Sequence, residues 1–328
     1  MAGRKLSTRE KEPALRKEIV EIPSQAGDLK VAESRADPQV PDIEEKYVAI
    51  DGGRMRYLRA GSGPTLVLLH GLLGYSFSWR FTIPALSKYA TVYAVDMLGT
   101  GFSDRVPQLD CCLRASAERL LRFLDVIGVS RFDLVGASHG GAVAMMLAAI
   151  CADQGADPQQ RRLQRLILAE PVNPWSAHGH RLAPLVGSRL GSFFFLHTVA
   201  HRSSTYGYWL RRLYGNSQRI PPGTLEGYAA PFKMPGTFEY AIGVTRHWTA
   251  GLRELTSELP KIADYSTLII WGTRDRAVDP KSAEPLQKVF KHAQLVMIPD
   301  AGHLPYEETP EEFNRAVLNF LQSTSANS

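Results

Sequence analysis

The feature that most constrains this sequence is a serine, Ser138, flanked by glycines and placed between two apolar segments. The segment before it, Phe132 to Val135, predicts a short buried strand, and the segment after it, Gly141 to Ala152, predicts a buried helix. A residue that joins a strand directly to a helix lies on a very tight turn, and Gly136 and Gly140 remove the side chains that would collide there. The pattern predicts a Gly-x-Ser-x-Gly elbow with the Ser138 hydroxyl lifted above a sheet edge.

Strands and helices alternate on both sides of this turn. The predicted strands are a hairpin over 46–60, then 65–69, 90–95, 131–135, 166–169, 267–271 and 294–298. The predicted helices are 76–88, 111–127, 141–152, one that starts near Pro280, and 311–321. This alternation is typical of the α/β class, with a doubly wound, mostly parallel sheet.

The alternation divides the chain into three parts. Residues 1–45 carry mixed charges and prolines and predict an N-terminal extension or linker, with an arm lying on the domain as the alternative. Residues 46–170 and 251–328 form the predicted core. Residues 171–250 interrupt the alternation between two core strands, so we interpret them as an inserted helical lid over the carboxyl ends of the strands.

Charge and cysteine content exclude several classes of protein. A formal net charge of +5 over 328 residues is modest, and no nucleic-acid-binding motif is present. The three cysteines are an odd number in apolar or helical contexts, which favours free thiols in a reducing compartment. No secretory signal or membrane-spanning run is recognisable, so a cytoplasmic protein is expected. No ligand cluster or dinucleotide motif indicates a metal or organic cofactor.

A serine hydroxyl is a weak nucleophile unless a base removes its proton and a third group orients that base. The best candidate base is His303, and the best candidate acid is Asp275, because each directly follows one of the last two predicted strands. The carboxyl ends of parallel strands meet at one sheet edge, so both should approach Ser138. Asp279 and Glu170 are alternative acids.

Two backbone amides are the candidate oxyanion donors. His139 follows the nucleophile at the start of a helix, and it is expected to contribute its N–H rather than its ring. Leu72 follows Gly71, which allows a sharp bend after the strand 65–69. His70 is interpreted as a residue that shapes this loop rather than as the base.

Five motifs in order carry a family resemblance. They are His70-Gly71, Asp96-x-x-Gly99-x-Gly101-x-Ser103, Gly136-x-Ser138-x-Gly140, Trp271-Gly272-x-x-Asp275 and Gly302-His303. From about Lys46 to Leu321 the chain resembles the α/β-hydrolase fold superfamily, and in particular its lidded, carboxylesterase-like serine hydrolases. Dehalogenases and epoxide hydrolases of this group resemble one another in using an aspartate at the elbow, whereas this chain has Ser138.

The resemblance therefore implies a serine hydrolase that cleaves small-molecule carboxylic esters through an acyl-serine intermediate. Two alternatives remain open: C–C bond or perhydrolase-type chemistry on the same triad, and a ligand-sensing protein with little turnover.

The predicted lid has a distinctive composition. It contains eight Lys and Arg against two acids, a net of +6, interleaved with aromatic residues. Amphipathic lid helices, with aromatic residues on the inner side and basic residues on the outer side, explain this composition. Two more specific functions remain as alternatives. One is an arginine that binds a substrate carboxylate. The other is a basic and aromatic face that makes weak contact with an anionic membrane surface.

Overall fold

The computed structural model describes residues 42–155, 161–176, 183–200 and 203–325. The predicted N-terminal extension, residues 1–45, lies almost wholly outside the described residues. The first strand begins within its last two positions, at Glu44.

One sheet of eight strands organises the described residues. Its strands are β1 (Glu44–Ile50), β2 (Gly53–Ala60), β3 (Thr65–Leu69), β4 (Thr91–Val95), β5 (Phe132–Ala137), β6 (Leu163–Ala169), β7 (Ser266–Gly272) and β8 (Ala293–Ile298). Their spatial order is β1-β2-β4-β3-β5-β6-β7-β8. Strand β2 pairs antiparallel with both β1 and β4, and the pairs among β3 to β8 are all parallel. The predicted α/β class with a mostly parallel sheet is confirmed.

The helices of the described residues vary widely in length. They are α1 (Ile83–Leu86), α2 (Leu113–Val126), α3 (His139–Gln154), α4 (Arg189–Phe194), α5 (Ser203–Leu213), α6 (Thr224–Ala229), α7 (Thr237–Glu258), α8 (Ala283–Gln287), α9 (Pro305–Glu308) and α10 (Pro310–Ser325). Shorter 3-10 turns join several of them. None of the helices described is both long and apolar enough to span a bilayer.

Both faces of the sheet are covered, because alternate residues of each central strand point to opposite sides. On β3, Val67 and Leu69 belong to a buried cluster that includes residues of α2 and α3. Leu66 and Leu68 belong to a second cluster that includes residues of α1 and α10. A strand buried on both faces must be apolar throughout, which explains the continuous run at 65–69.

The predicted helix over 76–88 is wrong in its continuity. The structure has a 3-10 turn, Ser76–Trp79, and then the short helix α1. Pro84 has no amide hydrogen and is favoured in the first turn of a helix rather than in its interior, so the segment restarts there.

The segment between β6 and β7, which we call the insertion, is mostly helical from residue 183 onwards where it is described. It contains α4, a π-helical turn over Phe195–Val199, α5, α6 and α7. Helix α7 continues past the predicted boundary at residue 250 to Glu258. Leu252 and Leu255 explain this continuation, because they pack into the buried cluster beside α2 and α3.

Candidate active site

Ser138 occupies the turn between β5 and α3 with a backbone φ of 53°, a conformation that is costly for any residue but glycine. The neighbouring backbone is too close to admit side chains. A Cβ on Gly136 would lie 2.6 Å from the carbonyl oxygen of Gly140, and one on Gly140 would lie 2.3 Å from the carbonyl oxygen of His70. The glycines at these positions therefore permit the turn that presents the Ser138 hydroxyl.

The structure brings the three side chains predicted as nucleophile, base and acid into one hydrogen-bonded chain. His303 Nε2 lies 2.9 Å from Ser138 Oγ, and His303 Nδ1 lies 2.8 Å from Asp275 Oδ2. A neutral imidazole that donates from Nδ1 to the carboxylate accepts the serine proton at Nε2. Both His303 and Asp275 are buried, so little water competes for these hydrogen bonds.

The loops after β7 and β8 hold the acid and the base in place. Asp275 Oδ1 accepts hydrogen bonds from the amides of Ala277, at 2.7 Å, and Val278, at 3.0 Å. The other oxygen, Oδ2, is thereby directed at His303. The backbone amide of His303 donates to the carbonyl oxygen of Leu213, at 2.6 Å, so the insertion also positions the imidazole.

The two alternative acids do not contact His303. Asp279 accepts a hydrogen bond from the amide of Lys281 at 3.0 Å, where it caps a 3-10 turn. Glu170 Oε1 accepts from the amide of Gly272 at 3.1 Å. Among the three carboxylates, Asp275 is the one that hydrogen-bonds to His303.

Glu170 is nevertheless unusual, because it is fully buried beside the site. Its Oε2 has no hydrogen-bond partner among the described residues. Burial, and to a smaller extent the charge of Asp275, raise the pKa of Glu170 well above its usual value. Glu170 therefore holds its proton to higher pH than an exposed glutamate does.

We expect Glu170→Gln to flatten the dependence of stability on pH. Folded Glu170 holds its proton to higher pH than the unfolded chain does, so the free energy of unfolding falls as pH rises above 4.5. The slope is at most about 1.4 kcal/mol per pH unit for one proton. Glutamine imitates the neutral acid and has no proton to lose, so the variant should become progressively more stable than the parent. Urea denaturation between pH 5 and about 8 measures this difference.

The exposed residue Glu284 provides the matched control for this experiment. Glu284→Gln should give a stability curve parallel to that of the parent. A parallel curve for Glu170→Gln as well would show that Glu170 is already ionised in the folded protein.

The two predicted oxyanion amides lie in segments that border Ser138. Neither the Leu72 nor the His139 amide donates a backbone hydrogen bond among the described residues. A Cβ on Gly71 would lie 3.0 Å from Ser138 Cβ, so the loop after β3 passes directly beside the nucleophile. The His139 amide is at the first turn of α3, where amides lack helical acceptors and the helix dipole is positive. Both amides therefore remain free to bind an oxyanion.

The rings of His70 and His139 are neutral and play no part in the hydrogen-bonded chain. Burial lowers the pKa of His139 to about 4, and its ring stacks on Trp248. Burial also lowers the pKa of His70, whose Nδ1 lies 2.8 Å from the carbonyl oxygen of Gly71. Its Nε2 accepts from the amide of Met97 at 3.3 Å, so His70 shapes the loop that carries Leu72.

Two buried acids that sequence reasoning missed connect the insertion to the His303 loop. Glu308 accepts hydrogen bonds from the amides of Gly302, Gly215 and Asn216, each at 2.8 Å. Glu307 accepts from Tyr214 at 2.8 Å and from Tyr228, and pairs with Arg80 at 2.9 Å. No signal in the sequence singled them out, because Glu307 and Glu308 look like ordinary charged residues near a helix start.

A cavity of about 1090 Å³ opens beside Ser138 and His303. Its lining comes mainly from the insertion and is predominantly aliphatic and aromatic, as in Leu190, Phe194 and Trp209. The described residues that line it include no Lys, Arg, Asp or Glu. No group of three or more His, Cys, Asp or Glu among the described residues is arranged to hold a metal ion. The site can therefore enclose a long apolar group next to the Ser138 hydroxyl.

Comparisons with known proteins identify the fold family of this chain. A family model for the α/β hydrolase fold matches residues 64–310. Haloalkane dehalogenase 2 of Mycobacterium tuberculosis is 27% identical over 289 residues, which cover 86% of this chain and 96% of that protein. A soluble epoxide hydrolase of Corynebacterium sp. is 27% identical over 293 residues, which cover 85% and 98%. The crystal structure of a membrane phospholipase A, a bacterial virulence factor, is similar with a TM-score of 0.69 and 27% identity, and covers 86% of each chain.

The family match spans about three quarters of the chain and includes the loops after β3, β5, β7 and β8 that build the site. One of the two curated relatives, that of Corynebacterium sp., is a hydrolase by name. The chain therefore belongs to the α/β-hydrolase fold family and is a hydrolase.

Proposed function

We propose that this protein is a serine hydrolase that cleaves carboxylic esters through an acyl-serine intermediate. The observation that carries the proposal is the continuous hydrogen-bonded chain from Ser138 through His303 to Asp275, at the end of an apolar cavity. Such a chain lets a hydroxyl attack a carbonyl carbon at neutral pH, because the imidazole accepts its proton as the bond forms.

In the first half-reaction, His303 takes the Ser138 proton at Nε2 while Oγ bonds to the ester carbonyl carbon. The imidazolium that forms is stabilised by Asp275 through Nδ1–H. The Leu72 and His139 amides then donate to the tetrahedral oxyanion, and loss of one such donor typically costs about 3 kcal/mol of transition-state stabilisation. His303 next protonates the departing alcohol, which leaves the acyl group on Ser138.

In the second half-reaction, water replaces the alcohol. His303 removes a proton from the water as it attacks the acyl carbonyl, and the same two amides stabilise the second tetrahedral intermediate. Collapse of this intermediate returns the proton to Ser138 Oγ and releases the carboxylic acid. The protein supplies every group that these steps require.

The identity of the nucleophile favours esters over the substrates named for the two curated relatives, a haloalkane and an epoxide. A serine that displaced a halide or opened an epoxide would become an ether. An ether has no carbonyl carbon for water to attack, so Ser138 would not be regenerated. An acyl-serine, by contrast, is hydrolysed by the groups that formed it.

The cavity gives no specific support to the C–C hydrolase alternative. That alternative invoked an arginine that binds a substrate carboxylate, and none of the described residues lining the cavity is an arginine or a lysine. An apolar lining favours a neutral acyl chain instead. The 27% identity to a phospholipase, an enzyme that acts on acyl esters by name, adds support for this substrate class.

We expect kcat/KM for p-nitrophenyl esters to rise with acyl length from acetate to at least octanoate. Each methylene buried in the cavity is worth up to about 0.8 kcal/mol, or about fourfold in kcat/KM. A steady-state assay across the series measures the trend. Ser138→Ala should abolish turnover at every length, which separates enzymatic from background hydrolysis. A maximum at acetate, with longer chains rejected, would contradict the assignment of the cavity as the acyl site.

A further inference from the structure

The insertion exposes a set of large apolar side chains to solvent. Leu190 is 80% exposed, Phe193 61% and Phe194 62%, which is unusual for residues of this size. We call the following set the apolar face of the insertion: Leu185, Leu190, Phe193, Phe194, Tyr208 and Trp209. These residues come from α4, α5 and the segment before α4, so the face is formed by more than one helix.

The apolar face is continuous with the cavity that reaches Ser138. Five of its six residues also line that cavity, the exception being Tyr208, whose ring contacts that of Trp209. Side chains that are both exposed and cavity-lining mark the mouth of the cavity. Whatever covers this mouth can therefore pass an apolar chain directly towards the Ser138 hydroxyl.

The surroundings of the face are basic. Arg189 lies on α4, and Arg211 and Arg212 lie on α5, and all three are exposed. The sequence from residue 171 to residue 225 contains no Asp or Glu, so these arginines have no acidic neighbour within that stretch. Aromatic and aliphatic side chains with flanking arginines suit the interface of a bilayer, where rings enter the headgroup region and cations meet lipid phosphates.

We propose that the apolar face of the insertion docks on the surface of an anionic phospholipid bilayer. The inference rests on the proposed function, since it makes the acyl chain of a lipid ester the group that enters the cavity. A bilayer is favoured over a protein partner because the face is the mouth of an acyl-sized cavity, and a bilayer supplies both an acyl chain and negative charge.

The test measures vesicle binding by the full chain with Ser138→Ala, so that no lipid is consumed. Vesicles of phosphatidylcholine and phosphatidylglycerol in equal parts are compared with pure phosphatidylcholine, at low and high salt, by flotation. We expect tighter binding to the anionic vesicles and weaker binding at high salt.

Adding Phe193→Gln and Phe194→Gln should lower the partition coefficient by about tenfold or more. The matched control is Tyr89→Gln with Val126→Gln, which changes two similarly exposed apolar residues outside the insertion. This control variant should bind as the parent does.

A second set of variants tests the charge. Arg189→Gln, Arg211→Gln and Arg212→Gln together should reduce binding to the anionic vesicles by roughly tenfold or more and leave the weaker binding to phosphatidylcholine unchanged. Removal of three exposed cations elsewhere, Lys281→Gln, Lys288→Gln and Arg315→Gln, should have little effect. In the active enzyme, the three arginine substitutions should leave turnover of a soluble short-chain ester unchanged, because none of them lines the cavity.

Three outcomes would overturn the docking proposal. The first is that the protein binds neither kind of vesicle at low salt. The second is that the Phe193 and Phe194 variant binds vesicles as tightly as its parent does. The third is that the protein binds no vesicle but self-associates, and that this variant abolishes the self-association. The last result would assign the face to a second copy of the chain. Failure of the ester hydrolase proposal would look different, since the active enzyme would then not turn over soluble esters.

Discussion

Ser138→Ala is expected to lower kcat for ester hydrolysis by about a millionfold. The substitution removes the atom that forms the acyl bond, and none of the surrounding groups can replace it. The fold should be retained, because the Ser138 hydroxyl makes one hydrogen bond, to His303 Nε2, among the described residues. Its loss should change the free energy of unfolding by about 1 kcal/mol or less. Single-turnover kinetics with a p-nitrophenyl ester, alongside urea denaturation, measure both effects.

The exposed residue Ser323 on α10 offers a matched control, and Ser323→Ala should leave kcat unchanged. Retention of more than about a thousandth of the activity by Ser138→Ala would indicate that water attacks the substrate carbonyl carbon directly, without an acyl-enzyme.

Asp275→Asn is expected to lower kcat by about ten-thousandfold with little change in KM. An asparagine that holds His303 can present its amide N–H to Nδ1, which stabilises the tautomer with the proton on Nε2. That tautomer cannot accept the serine proton, and the neutral amide no longer stabilises the imidazolium. Steady-state kinetics of the purified variant measure the loss.

Asp279→Asn is the control for this prediction, because Asp279 follows Asp275 closely in the chain but does not contact His303. It should retain activity within a few fold. If Asp275→Asn retained most of its activity while Glu170→Gln lost it, the orienting acid would be Glu170.

The positions of the site residues could be predicted from the sequence because they depend on parallel strands. The elbow is local, since Gly136 and Gly140 are needed for one turn. Asp275 and His303 are distant along the chain, but each directly follows a buried strand, and strands β5, β7 and β8 present their carboxyl ends at one edge. The alternation of strands and helices therefore predicts that loops far apart in the sequence lie close together at one edge of the sheet.

Features that depend on packing could not be predicted in the same way. Glu307 and Glu308 look like ordinary charged residues near a helix start, and only the tertiary contacts with the insertion show them to be buried. The end of α7 depends on Leu252 and Leu255, whose apolar spacing continues across the predicted boundary at residue 250. The size of the cavity depends on how several short helices pack, and no periodicity in the sequence encodes it.

Covalent labelling of the enzyme tests the central claim most directly. The protein is incubated with a fluorophosphonate, which reacts with an activated serine hydroxyl and remains bound to it, and the labelled residue is located by peptide mass spectrometry. We expect one adduct per chain, on Ser138 Oγ, forming in proportion to the loss of esterase activity and much more slowly in His303→Gln. Complete inactivation with the adduct on another residue, or full esterase turnover by a chain that never labels at Ser138, would contradict the account.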